Sequence, residues 1–129
     1  MGCLLALPTL DDYPLLVPRI ADALQYADGT HTVADVQAML VNGQAQLWPG
    51  IESAVVTQIR QTPQKKVLNV FLAGGEMAEI RQLMPLLYAW AKAEGCTSGQ
   101  FMGRKGWERT FAVKEQGWIP RWTGYAKDL

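Results

Sequence analysis

A chain of 129 residues with 49% hydrophobic and 19% charged side chains has the length and apolar content of one globular domain. Its twelve basic and twelve acidic side chains cancel, so there is no general pull toward nucleic acid or an anionic membrane surface. No apolar run approaches the ~20 residues that cross a bilayer, and two cysteines with one histidine form neither a disulfide framework nor a zinc constellation.

Residues 1–8 lack the basic stretch of a signal peptide, and Ala6 stands where a myristoylation motif takes Ser or Thr. Residues 3–7 are short and apolar and predict a first strand. Thr9 and the acids Asp11 and Asp12 mark a helix start, which Pro18 must bend or split. Asp28-Gly29 stops that helix after Tyr26. Thr32 caps the next one with Asp35 as its capping-box partner; Val36, Met39 and Leu40 face inward, and Asn42-Gly43 ends it.

From Gln44 the period becomes strand-like up to the Pro49-Gly50 turn. A second strand is expected over 53–58, with Val55, Thr57 and Ile59 on one face, and a hairpin-length loop over 62–66. Residues 67–72 are apolar on nearly every position and read as a strand buried on both faces. Ala73-Gly74-Gly75 breaks the run. A helical stripe of Met77, Ile80, Met84, Leu87 and Ala91 follows, runs in phase through Pro85, and ends at Gly95. The remaining expectations are a strand over 98–102, a helix over 107–116 ended by Gly117, and a last strand over 118–127 with Pro120 at its irregular start. The fold class is thus α/β (α+β): a three-layer domain, its mixed sheet mostly antiparallel, with one β-α-β unit.

That succession resembles the GNAT superfamily of acyl-CoA N-acyltransferases over the whole chain. HTVADV, QLWPG, KKVLNVFLAGGEMAEI, WAKAEGC, GRKGWERTF and QGW bring it closest to GNAT-like proteins encoded by tailed bacteriophages. The resemblance implies acetyl-CoA as cofactor if the chain is active, held by the strand end at Leu72 and Ala73, the turn at Gly74 and Gly75, and the basic loop at Arg104 and Lys105. It also implies the host cytoplasm or the virion as location.

The family pattern is broken at both places that carry its chemistry. The glycines are adjacent, no basic residue precedes them, and Glu76 and Glu79 open the helix where a pyrophosphate needs positive potential. Val113 stands where the family's proton-donating Tyr precedes the closing Gly-aromatic pair, here Gly117-Trp118. Glu52 is the one carboxylate placed as a general base, against the commoner reading of a solvated turn acid. His31 reads first as a residue of the capping loop, and Cys96 as a small buried hydrophobe. The expectation is a GNAT-fold protein with degenerate or absent acetyltransferase activity and no cofactor. It would act through a protein partner of phage or host in assembly, virion or host interaction. Five tryptophans also suit a homo-oligomer. The alternative is an acetyl-CoA-dependent N-acetyltransferase acting on the amine of a protein or small molecule. A membrane partner is not expected, and charge balance argues against nucleic acid.

Overall fold

Two tight turns force the antiparallel part of the sheet. The Gly50 amide donates to the Ser53 carbonyl at 2.7 Å, and the Thr62 amide to the Lys65 carbonyl at 2.8 Å. They join β1 (Gln46–Pro49), β2 (Ala54–Gln61) and β3 (Lys66–Gly74) into the expected meander; β4 (Ser98–Gln100) then pairs in parallel with β3. The sheet order is β1-β2-β3-β4, which puts β3 inside. The computed structural model describes residues 7–103 and 105–129, so most of the first predicted strand, residues 3–7, and Arg104 lie outside the described residues.

The helices segregate to the two faces. On one side α1 (Val17–Leu24) and α2 (Val33–Val41) bury Ile20, Leu24, Val36 and Leu40 against Leu47, Val56 and Leu72. On the other, α3 (Met77–Ala93) packs Ile80, Met84, Leu87 and Ala91 against Val55, Leu68 and Val70, joined by Phe111 and Ala112 of α4 (Phe111–Lys114). Each fully buried Leu or Ile contributes about 1.5–3 kcal/mol, so these stripes rather than helix propensity hold the layers. The capping box at α2 is present: Asp35 N–H donates to Thr32 Oγ1 at 3.2 Å and Thr32 N–H to Asp35 Oδ2 at 2.8 Å. Pro18 falls in the first turn of α1, and the residues before it form two short 3₁₀ turns, Leu10–Asp12 and Pro14–Leu16. Pro85 sits inside one unbroken α3.

β3 changes face midway. Val56 pairs with Leu72 but Thr57 pairs with Val70, so Phe71 is an extra, bulged residue. Before the bulge Leu68 and Val70 face α3; after it Phe71 and Leu72 pack toward α1 and α2. The pairing with β4 stops at Asn69 opposite Gln100, so beyond that point β3 has a strand on its β2 side alone among the described residues.

Four expectations are corrected. The strand over 98–102 ends at Gln100. The helix over 107–116 is two pieces, a 3₁₀ turn at Lys105–Arg109 and α4, because Thr110 starts a new helix by accepting the Ala112 amide at 3.2 Å. The last strand over 118–127 does not form. Pro120 offers no N–H, and β4 is too short to present a ladder, so Ile119, Trp122 and Tyr125 stay exposed. Met77 is 42% exposed and outside the apolar stripe, which begins at Ile80.

Candidate functional site

The N-terminal end of α3 is built by the β3–α3 turn and the β1–β2 turn, and its glycines meet the protein's own backbone. A Cβ on Gly74 would lie 2.4 Å from the Arg19 carbonyl oxygen of α1. Gly75 has φ +120°, and its Cβ would lie 2.5 Å from the Glu52 carbonyl oxygen and from Ser53 Oγ. Both glycines therefore serve close packing, with no room between them and their neighbours for a ligand. Leu72 is buried in the α1/α2 core and Ala73 packs against the α3 core, as the bulge requires.

The amide of the N-cap residue Glu76 and two amides of the β1–β2 turn are met by side chains of this chain. Ser53, fully buried, accepts the Glu76 amide at Oγ from 2.8 Å. Glu79 reaches back to the other turn: Oε2 accepts the Ile51 amide at 2.8 Å and Oε1 the Glu52 amide at 3.0 Å. The Ser53 hydroxyl and these amides hold the Glu79 carboxyl below its ordinary range, so it stays charged. Glu52 is exposed and lies with Glu76 and Glu79 around one open hollow. The Arg19 guanidinium lies 4.0 Å from Glu76. The surface at this helix end is acidic, and the glycine turn behind it is packed. Of the basic loop, Arg104 lies outside the described residues and Lys105 begins the 3₁₀ turn.

Where the family pattern calls for a tyrosine, Val113 lies half-buried in α4. The phenol on this side of the sheet is Tyr88 of α3, whose hydroxyl donates to Gln116 Oε1 at 2.5 Å and accepts Trp118 Nε1–H at 2.8 Å. Burial pushes its pKa up. Cys96 is half-buried rather than buried, and burial likewise pushes its thiol up, away from a nucleophile's range.

On the α1/α2 side the structure brings together residues that are scattered in the sequence. The His31 ring meets the bulged Phe71 edge-on, centroids 4.8 Å apart. Its Nδ1 lies 2.7 Å from Thr30 Oγ1. His31 lines an open hollow with Asp35, Met39, Gln44 and Gln58, and Asn69 of β3 donates to Gln58 Oε1 at 3.1 Å. Sequence reading placed His31 in a loop and could not see this grouping, because only the sheet register sets Gln58 and Phe71 beside it. Among the described residues no group of His, Cys, Asp and Glu could hold a metal ion, and no helix is long and apolar enough to cross a membrane.

No family model matches the chain, and no curated protein matches it. Solved structures do. A probable acetyltransferase superposes with a TM-score of 0.71 at 9% identity, covering 95% of either chain. A ribosomal-protein-alanine N-acetyltransferase from Brucella melitensis biovar Abortus 2308 gives 0.65 at 15% identity, over 96% of this chain and 98% of that one. An aminoglycoside acetyltransferase from an uncultured soil metagenomic sample, solved in complex with sisomicin, gives 0.67 at 7%, over 93% and 90%. At such identities the likeness is one of architecture, and the chain has the fold of the GNAT acetyltransferases.

Proposed function

We propose that this is a GNAT-fold protein with degenerate or absent acetyltransferase activity that works by contact with a protein partner. The observation that carries the reading is the state of the α3 N-terminus. Glu52, Glu76 and Glu79 surround it, and the Glu79 carboxylate is tied to the β1–β2 turn beside it, where a cofactor pyrophosphate needs positive potential. A like-charge penalty of about 1.4 kcal/mol alone lowers affinity tenfold. The exposed Ile119, Trp122 and Tyr125 support a role in protein contact, including contact between copies. The phage setting, in assembly, virion or host interaction, rests on the sequence resemblance.

A second reading, an acetyl-CoA-dependent N-acetyltransferase, is favoured by one feature: the bulge at Phe71 and the end of β4 pairing leave the outgoing half of β3 open on one side. The neighbours named for acting on a ribosomal-protein alanine or an aminoglycoside are of that kind. Calorimetric titration of acetyl-CoA into the unmodified protein at low salt separates the two. Millimolar or undetectable binding is expected. A micromolar constant competed by CoA would restore the enzyme, with Glu52 as the base to mutate first and Arg104 and Lys105 as the phosphate contacts.

A further inference from the structure

A helix that covers a sheet is ordinarily apolar on one face and charged on the other, and α3 departs from this. Its core stripe of Ile80, Met84, Leu87 and Ala91 lies against the sheet. On the opposite side Ala78, Gln82, Pro85, Leu86, Ala89 and Ala93 share an arc of about 100°, and all six are exposed. No Lys, Arg, Asp or Glu falls within that arc. Two neighbouring charges are engaged elsewhere, Glu79 on the Ile51 and Glu52 amides and Arg81 on Glu115. The outer face of α3 is therefore uncharged, and Leu86 is the one large apolar side chain on it.

The positions on this face also have a two-fold order. Ala78 and Ala93, Gln82 and Ala89, and Pro85 and Leu86 stand at equal distances on either side of the bond between residues 85 and 86. Two α3 helices laid antiparallel about that point set Ala78 of one copy opposite Ala93 of the other and bring the two Leu86 side chains together. An isologous dimer requires this self-complementarity, whereas a face fitted to a different protein is under no such constraint. A helix of 17 residues is about 25 Å long and is by itself small for a dimer interface. The chain beside it enlarges the surface: Trp118 donates its indole N–H to Tyr88 of α3, and Trp122 and Tyr125 beyond it are exposed. Each of those rings adds roughly 150–250 Å², which brings either side toward, and not past, the ~800 Å² of a standard interface.

We propose that the outer face of α3 joins two copies of this chain in an antiparallel, two-fold pair, with Leu86 at its centre and residues 119–125 at its rim. The modest area makes the pair a reversible, concentration-dependent dimer. The proposal rests on the reading that this protein works by protein contact, and it names the face and the partner.

Sedimentation equilibrium of the full chain, from micromolar to near-millimolar, is expected to show a monomer–dimer equilibrium. Ala89→Glu puts a charge within the face at an exposed helical position. It is expected to weaken association at least tenfold and to leave the protein folded by circular dichroism. Val41→Glu, at an exposed position of α2, is expected to leave association unchanged. Cross-linking under oxidised glutathione, in a chain also carrying Cys3→Ser and Cys96→Ser, reads the geometry. Leu86→Cys alone is expected to form linked dimers, as is a mixture of Ala78→Cys with Ala93→Cys. Ala78→Cys alone is expected to form none, because its two copies would stand about 22 Å apart, against the roughly 7 Å that a disulfide spans between Cα atoms. A monomer at every concentration, a dimer that Ala89→Glu leaves intact, or linked dimers of Ala78→Cys alone would overturn the proposal. The acetyl-CoA titration decides the reading it rests on, so the two fail separately.

Discussion

The side-chain amide of Gln116 donates to the carbonyl oxygen of Arg81 at 3.4 Å, the acceptor that Pro85, lacking an N–H, cannot engage from four residues along α3. The same Gln116 accepts the Tyr88 hydroxyl through Oε1, and Tyr88 accepts the indole N–H of Trp118. The proline therefore leaves a backbone acceptor on α3 that the segment after α4 docks upon. Gln116→Ala removes both bonds and is expected to cost roughly 1–2 kcal/mol by urea unfolding. Pro85→Ala restores a donor to Arg81, so hydrogen exchange at the Trp118 indole is expected to speed up even as the helix gains. Unchanged exchange would mean that the Arg81 carbonyl is not what holds Gln116.

Glu79 makes the fold sensitive to acid. Its carboxyl is held below its ordinary 4.5 by the Ser53 hydroxyl and the Ile51 and Glu52 amides. With a folded pKa below the unfolded one, its stabilising effect is complete above the unfolded value and is lost as pH falls through the folded value. The urea midpoint of Glu79→Gln is expected to lie below that of the parent protein at neutral pH. The gap should close in acid below the ordinary carboxylate range. A gap that persists in strong acid would assign the effect to packing.

The two positive-φ glycines that flank the candidate regions should respond differently. Gly75→Ala places a Cβ at 2.5 Å from the Glu52 carbonyl oxygen and is expected to cost about 2 kcal/mol or more. Gly43, at φ +76°, has nothing within 4 Å, so Gly43→Ala should cost only about 1 kcal/mol, the conformational part. Equal losses in thermal unfolding would mean that the β3–α3 turn has room to yield.

Tyr88 is expected to be the last of the four tyrosines to ionise in an absorbance titration, because burial disfavours its phenolate. Its raised folded pKa stabilises the protein fully below the unfolded value, and that contribution is lost as pH rises through the folded value. Tyr88→Phe should remove the late-titrating phenol; if the late step stays, it belongs to another tyrosine.

The local rules of the chain were legible in one dimension. The Thr32–Asp35 box, the meander ending in residues 67–72, the stripe from Ile80 to Ala91 and the helix through Pro85 each follow from spacing, caps and turn residues that act within a few positions. The acids at 76 and 79 were legible as charge, though Glu79 was not legible as a clamp on the β1–β2 turn. What tertiary structure alone decided lies where distant segments meet. Residues 118–127 carry strand-like composition, yet a strand needs a neighbour's free ladder, and β4 stops after three residues. The bulge at Phe71 reverses which face Leu72 takes, an outcome of pairing register that no periodicity in β3 encodes. His31 meets the Thr30 hydroxyl next to it in sequence, but takes its other surroundings from Phe71 and Gln58 of the sheet. Sequence spacing carries the short-range hydrogen bonds and apolar faces; the contacts that make a site are set only when the whole sheet and both helical layers close around it.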